Sequence, residues 1–475
     1  MTIFVDRKRN KWTKTALKDT KQKVFWSDSN TQPPPSKPLS VAAVADIVII
    51  GAGYTGLWTA LQAKEDTPEK KIIVLEANVA GFGASSRNGG FCESSLTHGL
   101  HNGIARWEDE LNTLNRLGRE NLKGILDSIK KYNIDADVEE TGTLYTANAE
   151  WQVEELKESV EDYTKYGIKA TFLNKTEIQK ELKSETNLAG LRVENETIMV
   201  NPAKLVWGLK RACLNLGVKF YEHTEVLDVI EENNNLIIKT PKGSVTAPQV
   251  ISATNAWVKP IKKIRNHIIT IFDHVLMTEP LSDAQLASIG WEGRQGVGDC
   301  ANQFHYYRLS ADNRILWGGW DANYYKNSEM GPDKEKRETS FELLSDHFFE
   351  AFPQLEGQLK FTHKWAGPIG TTSQFSATFG TKFNGKLVWV GGYTGLGVGA
   401  SRFGARVALD LLENIDNERT QLKMVQKKPM PFPPEPLRHF FIQYTKKKIA
   451  QSDANDGKRG IWLGILDSLG LGFDS

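Results

Sequence analysis

The chain contains little cysteine, no long apolar run and almost no net charge. Its three cysteines, Cys92, Cys213 and Cys300, are spread over 475 residues, which excludes a disulfide framework or a cysteine metal cluster and is typical of a reducing compartment. No apolar run reaches the roughly 20 residues of a membrane span, and the polar, basic N-terminus lacks the apolar core of a secretory signal. A formal net charge of +1 gives no field that would recruit nucleic acid. We therefore expect a cytoplasmic protein with no metal site and no nucleic-acid partner.

Size and composition point to a globular protein with more than one domain. The sequence is 40% hydrophobic and 25% charged, as in ordinary globular proteins. A chain of 475 residues exceeds the size at which a single core stops growing. We expect two interleaved domains with tails.

The most informative stretch runs from Asp46 to Gly90. It predicts, in order, a buried strand, a glycine turn, a helix and a second buried strand, namely Ile47–Ile50, G-x-G-x-x-G, Leu57–Ala63 and Ile72–Leu75. This order is a βαβ unit that binds a dinucleotide.

Each residue of the turn has a physical task. Gly51 permits the tight turn, Gly53 lets the backbone approach a pyrophosphate, and Gly56 lets helix and strand pack closely. Phosphates are expected at the N–H groups of the helix start, Tyr54 and Thr55. Glu76, with Ala77 beside it, ends the second strand, where its carboxylate can accept hydrogen bonds from ribose hydroxyls.

Two more glycine-rich stretches suggest further ligand contacts. The run GASSRNGG (83–90) offers polar donors and bare backbone, and the run from Gly391 to Gly399 again precedes a predicted helix. A helix N-terminus stabilises negative charge that develops on a ligand. An ordinary surface loop is the alternative for 83–90, and NAD(P) in the first fingerprint is a rival that the second glycine stretch disfavours.

The remaining segments alternate between the two predicted domains. Residues 1–40 are polar, and Trp12 and Trp26 suggest packing onto the body or onto a partner subunit, with a PPPSKP linker following. Helices are expected at 110–131, 151–166, 338–352, after the Asn201 cap with Pro202, and after 391. Strands are expected at 141–147, 218–221, 226–230, 236–240, 248–254, 274–278, 304–309, 315–319 and 387–390. The segment Trp365–Thr372 is expected to be a loop.

These motifs together resemble the D-amino acid oxidase/glycine oxidase/sarcosine oxidase superfamily, and within it the gamma-glutamylputrescine oxidase-like branch. The resemblance rests on the fingerprint with Glu76, on GASSRNGG, on the strand before Trp257, and on VGGYTGLGVGAS (390–401). It covers most of residues 45–413.

The resemblance implies an α/β fold in which a discontinuous Rossmann-like FAD-binding domain interleaves with an antiparallel-sheet substrate domain. The implied segments are an extension at 1–44, the FAD-binding domain at 45–96, 196–256 and 385–413, the substrate domain at 97–195 and 257–384, and an extension at 414–475. FAD is expected to bind non-covalently, a bond to Cys92 being the alternative. The implied FAD contacts are Gly51, Gly53, Tyr54, Thr55, Gly56, Glu76, Ala77, Gly83, Ser85, Ser86, Arg87, Asn88, Gly89, Gly90, Val226, Ala253, Thr254, Trp257, Gly392, Thr394, Gly395 and Gly397.

The implied chemistry is amine oxidation. A hydride passes from the carbon that bears nitrogen to flavin N5, and the imine is hydrolysed to an aldehyde or keto product, with oxygen as acceptor. Alternatives are a dehydrogenase that delivers electrons to a quinone or carrier, and a flavin-binding protein without amine turnover.

The substrate is less well specified by the sequence. Amino-acid oxidases of this superfamily commonly place an arginine before a proline in the segment matching WAGPIGTT, but here Gly367 precedes Pro368. Arg308 is therefore the candidate for an anionic substrate end, a structural ion pair being the alternative. Tyr306 and Trp365 are candidate cavity aromatics or sheet-packing residues, and His98 and His101 are expected to be structural.

The C-terminal tail allows two interpretations. Its apolar residues from Ile461 to Phe473 follow the basic run Lys446–Lys448. This pattern suits a terminal helix docked on the protein, which we expect, or a peripheral membrane foot. An oligomer also remains open.

Overall fold

The computed structural model describes Phe4 and residues 10–258 and 264–472. Its helices are α1 (Thr13–Leu17), α2 (Tyr54–Asp66), α3 (Leu100–Trp107), α4 (Leu111–Lys131), α5 (Glu150–Lys165), α6 (Lys175–Glu181), α7 (Pro202–Asn215), α8 (Asp283–Ile289), α9 (Glu338–Ala351), α10 (Gly397–Leu412), α11 (Glu418–Gln421), α12 (Lys423–Gln426), α13 (Leu437–Ala454) and α14 (Ile461–Ser468). Its strands are β1 (Lys21–Gln22), β2 (Ala43–Val44), β3 (Ile47–Ile50), β4 (Ile72–Leu75), β5 (Phe91–Glu93), β6 (Thr143–Ala147), β7 (Ala170–Leu173), β8 (Ala189–Val193), β9 (Thr197–Met199), β10 (Lys219–Tyr221), β11 (Asp228–Glu232), β12 (Asn235–Lys239), β13 (Ser244–Ala247), β14 (Gln249–Ser252), β15 (Ile269–Thr278), β16 (Gly296–Asp299), β17 (His305–Leu309), β18 (Ile315–Gly319), β19 (Asn323–Tyr324), β20 (Phe361–Thr371), β21 (Thr378–Lys382) and β22 (Leu387–Gly391).

A parallel sheet forms the dinucleotide-binding half. Its strand order is β10-β4-β3-β14-β22-β21, and the pairings are parallel except for the β21–β22 pair. Every residue of β3 and β4 is buried, because a parallel sheet is covered by other elements on both faces. The predicted βαβ unit and its Rossmann-like sheet are confirmed.

Helix α2 fills one face of this sheet and is almost entirely enclosed. It is buried continuously from Tyr54 to Lys64 and packs against α7 and α10. A helix enclosed on all sides belongs to the core rather than to the surface. The predicted helix is confirmed, with one more turn at its start and three more residues at its end.

A larger, mainly antiparallel sheet forms the second half. Its strands lie in the order β1-β20-β15-β18-β17-β16-β6-β8-β7, with β19 pairing off β15. One face of this sheet packs on α9 through an aromatic core that includes Trp317, Phe341 and Phe348. A sheet of β11, β12, β13 and β2 and the pair β5–β9 complete the described strands.

The two sheets draw their strands alternately from the chain. Residues 47–75, 219–252 and 378–391 supply the parallel sheet, and residues 143–193 and 269–371 supply all but β1 of the large sheet. The predicted fold class is confirmed. The exact segment limits stay predictions, and β21 pairs with the parallel sheet although it falls within the predicted substrate segment.

The N-terminal extension packs on the body of the same chain. Strand β1 pairs with His363 and Lys364 of β20. The Trp12 indole donates to the Leu359 carbonyl at 3.1 Å, and Trp26 is buried. The tryptophans therefore act as anchors, as their isolation in a polar segment suggested.

Two local predictions were wrong. The segment Trp365–Thr372 is not a loop, because its residues up to Thr371 belong to strand β20. Pro368 pairs with Phe272 of β15 on one side, and β1 leaves the other side of β20 after Lys364, so the proline sits on an open edge that needs no donor. Val226 precedes β11 rather than lying within it.

A buried ion pair joins several segments beside β10. The Lys210 ammonium of α7 lies 2.6 Å from the Glu222 carboxylate, and both side chains are almost fully buried. The same carboxylate accepts the backbone N–H of Ala80 at 2.7 Å and that of Ser36. Glu222 thus ties the proline-rich linker to the sheet.

Removing the cation of this pair should be costly. Lys210→Met leaves a buried carboxylate without its partner, which should lower the free energy of unfolding by about 3 kcal/mol or more. Denaturant unfolding measures this change. The control is Lys123→Met, which breaks an exposed pair with Asp127 and should cost less than about 1 kcal/mol. Equal losses in both variants would contradict the assigned role.

Candidate functional site

A large cavity lies between the two sheets. It has a volume of about 1330 Å³ and is lined by the carboxyl ends of β3 and β4 on one side and by β15, β17 and β20 on the other. Ligand sites usually measure about 300–1,000 Å³, so a dinucleotide and a second molecule can share this one. Ligands of open α/β sheets bind at this edge.

The glycine turn after β3 is packed backbone on backbone. Gly51 has φ of +99°, and a Cβ on it would lie 2.9 Å from the Ala253 carbonyl oxygen. A Cβ on Gly56 would lie 1.9 Å from the Gly51 carbonyl oxygen. Gly53 caps α2 and faces the cavity. The turn therefore exposes backbone, not side chains, to a ligand.

Glu76 is held at the cavity by the backbone. Its carboxylate accepts the N–H groups of Ala52 and Asn78, each at 2.8 Å. Burial raises the pKa of this carboxyl, and the two N–H donors oppose that rise. The carboxylate keeps lone pairs for a diol on the ligand.

The loop 83–90 is supported from below by two indoles. Trp26 donates to the Asn88 carbonyl at 2.9 Å, and Trp365 donates to the Arg87 carbonyl at 2.8 Å. Arg87 itself pairs with Glu335 at 2.6 Å. Trp365 does not line the cavity, so its part is to hold this loop rather than to contact a substrate.

The second glycine stretch brings a helix end to the same cavity. Thr394 and Gly395 have φ of +51° and +100°, and the chain then enters α10, whose first residue Gly397 lines the cavity. Gly392 donates its N–H to the Asn255 amide oxygen at 2.8 Å. The positive end of a sixteen-residue helix therefore faces the ligand space.

Most of the predicted cofactor contacts meet at this cavity. Those on its lining are Gly51, Gly53, Tyr54, Thr55, Glu76, Ala77, Gly83, Ser85, Arg87, Asn88, Gly89, Val226, Ala253, Thr254, Trp257, Thr394, Gly395 and Gly397. Gly56, Ser86, Gly90 and Gly392 lie behind it. Gly56 packs on the Gly51 carbonyl, and Gly90 packs on that of Val200.

Arg308 lies outside the cavity, contrary to its predicted substrate role. It is 1% exposed and donates to the carbonyls of Val200 and Leu309 at 2.8 and 2.9 Å. The Glu139 carboxylate lies 3.9 Å away. Arg308 is two residues beyond Tyr306 on β17, where the strand has already passed beneath Gly90. Its role is structural.

Tyr306 does line the cavity and is paired with a carboxyl group. Its hydroxyl donates to Asp273 of β15 at 2.5 Å. Burial raises the pKa of Asp273 to about 6, although the Tyr306 hydrogen bond lowers it. This pair presents a fixed polar group on an otherwise apolar wall formed by Ile271, Val275 and Ile369.

One end of the cavity was not predicted. Glu93 of β5 lines it beside Tyr145 of β6 and Tyr163 of α5. Burial raises the pKa of Glu93 to about 7. The position of Glu93, three residues after the glycines of the 83–90 loop, was the only signal for it in the sequence.

His98 and His101 also line the cavity. Burial and the nearby Arg106 lower the pKa of His98 to about 4, so its imidazole is neutral at pH 7. His101 lies 3.5 Å from Asp162 at the rim. Cys92 is buried off the lining, which agrees with non-covalent cofactor binding.

The C-terminal extension forms the roof of the cavity. Trp462, Leu463 and Leu466 of α14 line it. Lys446 of α13 pairs with Asp321 at 2.5 Å. Asp453 accepts the backbone N–H groups of Asn302 and Gln303 at 3.0 and 2.9 Å, in the loop after β16. The predicted docked terminal helix is found, but it covers a cavity rather than plain surface.

Two structural findings concern the membrane and metals. Within the described residues, none of the helices has the length and apolarity to span a bilayer. The same part of the chain contains no cluster of His, Cys, Asp and Glu that could hold a metal ion.

The fold and this cavity define a flavoprotein. Residues 46–411 match the family described as DAO, FAD dependent oxidoreductase, and the chain belongs to that family. The backbone cradle at Gly51–Gly53 and the Glu76 carboxylate fit the diphosphate and ribose of FAD, and the α10 end fits its flavin.

Particular relatives share most of the chain. It is 30% identical over 407 residues to a probable oxidoreductase, OrdL, from Haemophilus influenzae, covering 84% of this chain and 89% of that protein. It is 30% identical over 401 residues to gamma-glutamylputrescine oxidoreductase from Escherichia coli, with 83% and 89% coverage. Glycine oxidase from Geobacillus kaustophilus shares the fold, with a TM-score of 0.69, 17% identity and coverage of 82% and 100%.

FAD retention should depend on the bare backbone at Gly53. A Cβ there would point toward Ser85 Oγ at 2.9 Å, and the branched side chain of Gly53→Val would occupy the diphosphate path. We expect the variant to purify without flavin, as measured by its visible absorbance. Gly464→Ala, whose Cβ would enter open space, is the control. Full flavin content in Gly53→Val would refute the placement.

Stability should depend on pH through Glu93. Its folded pKa of about 7 exceeds the usual value of 4.5, so the folded state binds more protons than the unfolded state between these pH values. The free energy of unfolding contributed by Glu93 therefore falls as pH rises from about 4.5 to 7. Glu93→Gln should remove this contribution. The difference in Tm, variant minus wild type, should therefore be larger at pH 8 than at pH 5. A constant difference would contradict the burial effect.

Proposed function

We propose that the protein oxidises the C–N bond of a small amine that carries no α-carboxylate. The main support is that the arginine and lysine side chains around the cavity are already paired. Arg87, Lys446 and Arg459 line it, and each is paired with a carboxylate, namely Glu335, Asp321 and Asp467. Within the described residues, no unpaired arginine or lysine therefore faces the cavity to clamp a carboxylate.

Sequence and structure both support the absence of an arginine that could bind a substrate carboxylate. A Cβ on Gly367 would lie 3.3 Å from Arg87 Cβ, so a large side chain at this position would meet the 83–90 loop. Arg308 cannot take the place of this arginine, because its guanidinium already donates to two backbone carbonyls and lies beside Glu139. An α-amino acid would bring a carboxylate to a site without a counter-ion, whereas a simple amine would not.

When bound, FAD supplies the hydride acceptor, and the imine product is hydrolysed by water. The chain's own residues position the amine. Tyr306, fixed by Asp273, offers a hydrogen-bonding group within the apolar wall. Trp462, Leu463 and Leu466 exclude bulk water from above, which strengthens the polar contacts inside.

Oxygen is the proposed acceptor, and a quinone is the second candidate. The second candidate is favoured by exposed apolar residues of α13 and α14 that do not line the cavity: Leu437, Phe440 and Ile461 are 63%, 68% and 87% exposed. Such a patch suits contact with a membrane that holds the quinone.

An anaerobic panel tests the proposal. The holoenzyme is mixed with monoamines, diamines, gamma-glutamylated diamines, N-methylglycine, aminophosphonates and D-amino acids, and loss of visible flavin absorbance is followed. Amines should reduce the flavin at least about tenfold faster than α-amino acids of equal length, which corresponds to 1.4 kcal/mol of discrimination. If no compound reduces it, amine turnover is refuted; equal rates would refute the argument from the missing clamp.

The acceptor is decided by a second measurement. The reduced protein is mixed either with air-saturated buffer or with a soluble quinone, and reoxidation and peroxide are recorded. Fast reoxidation with stoichiometric peroxide supports oxygen. Slow reaction with oxygen and fast reaction with the quinone would refute the oxidase hypothesis and support the dehydrogenase.

A further inference from the structure

The end of the cavity beside β5 and α5 contains the Glu93 carboxylate, which pairs with no other residue in the described part of the chain. Glu93, Tyr145 and Tyr163 line it together with Ser159. The Glu93 carboxylate acts electrostatically on both phenols and contributes to the rise in their pKa. The carboxylate and the two rings therefore surround one common space.

Other buried acids on the lining are already satisfied. Glu76 accepts two backbone N–H groups, Asp273 accepts the Tyr306 hydroxyl, and Asp299 accepts the His305 ring and its backbone N–H. Across residues 10–258 and 264–472, no hydrogen bond or ion pair reaches the Glu93 carboxylate. A partly buried carboxylate without a partner carries a desolvation cost that a ligand can offset.

Neutral groups at the same end also lack partners. Among the residues that the structure describes, the Gln152 side-chain nitrogen and the Thr143 hydroxyl have no hydrogen-bond partner. Their residues are 0% and 3% exposed, and both line the cavity. Gln152 is oriented by its oxygen, which accepts the N–H groups of Asn148 and Ala149 at 2.6 and 3.1 Å. Buried polar atoms normally have hydrogen-bond partners, so these two atoms add unsatisfied polarity close to Glu93.

The surrounding charges favour a cation. His98 is neutral at pH 7, and His101 lies beside Asp162. Glu155, which lies one turn before Ser159 on α5, adds a second carboxylate at the exposed rim. Since no lining cation neutralises Glu93, the local field is negative.

We infer that this end of the cavity binds a second positive charge of the substrate, with the Glu93 carboxylate as its counter-ion. The substrate class is then a diamine or another amine with a distal ammonium group. This inference rests on the proposed function, because one amine must react while the other is held. A charged hydrogen bond of about 1.5–3 kcal/mol corresponds to a preference of roughly 10- to 100-fold.

Binding without turnover tests the inference separately. Anaerobic calorimetric titration of the holoenzyme with its flavin already reduced by dithionite, so that no hydride can be transferred, compares 1,4-diaminobutane with 1-aminobutane, which lacks the second charge. Wild type should bind the diamine at least about tenfold more tightly. Glu93→Gln should abolish that preference while the affinity for the monoamine stays the same. Glu154→Gln is the matched control, because this exposed α5 residue pairs only weakly with Lys157 at 3.9 Å and should leave the preference intact.

The outcomes separate the two hypotheses. A wild-type preference near one, or an unchanged preference in Glu93→Gln, overturns the inference. If Glu93→Gln does not retain FAD, Glu93→Asp is used, and the preference must shrink with the shortened side chain; an unchanged value also overturns it. A diamine preference that depends on Glu93, in a protein whose flavin no amine reduces, would keep the binding site and refute only the proposed function.

Discussion

The close approach of backbone to backbone after β3 is the constraint on which the rest of the site depends. Gly56 lies so near the Gly51 carbonyl, and Gly51 so near the Ala253 carbonyl, that side chains cannot intervene. This contact seats α2 in the sheet and brings β14 alongside β3. The N–H groups at the start of α2 and the Glu76 carboxylate thereby face one space. Moving any of these elements apart would separate the two ends of a dinucleotide site.

The second half of the molecule supports that space from below and closes it from above. Two indoles from distant segments, Trp26 and Trp365, hold carbonyls of the 83–90 loop. The large sheet supplies the Tyr306–Asp273 pair, and the C-terminal helices supply the roof. The cofactor side is built mainly from backbone, while the substrate side is built from side chains. This division explains why the family is easier to recognise than the substrate.

The same division sets how much the sequence could predict. Gly51, Gly53 and Glu76 act through local geometry within one βαβ unit, so residue type and spacing were enough to place them. The strand β20 was missed because Gly367 and Pro368 are loop formers, and only its open edge shows why they are tolerated. Alternation on β17 put Arg308 on the face of Tyr306, but where the cavity ends along that strand depends on Gly90 from another segment.

Glu93 and the roof depend on contacts between distant parts of the chain. The surroundings of Glu93 come from β6 and α5, which follow it by 50 residues or more, so no local pattern reveals that its carboxylate has no partner among the described residues. Likewise, the apolar residues of α14 predicted a buried face but not the surface they would cover. Such features follow from tertiary packing and had to be read from the structure.

The roof also has a consequence for how the protein is made. Residues 437–468, which form α13 and α14, are synthesised after every segment that lines the cofactor side of the cavity. During synthesis the cavity therefore stands open above the completed glycine turns and the α10 helix end. A flavin can enter by this wide route on the nascent chain, whereas in the finished protein it must pass the bonds made by Lys446 and Asp453. The docking of α13 and α14 is thus the step that closes this side of the cavity.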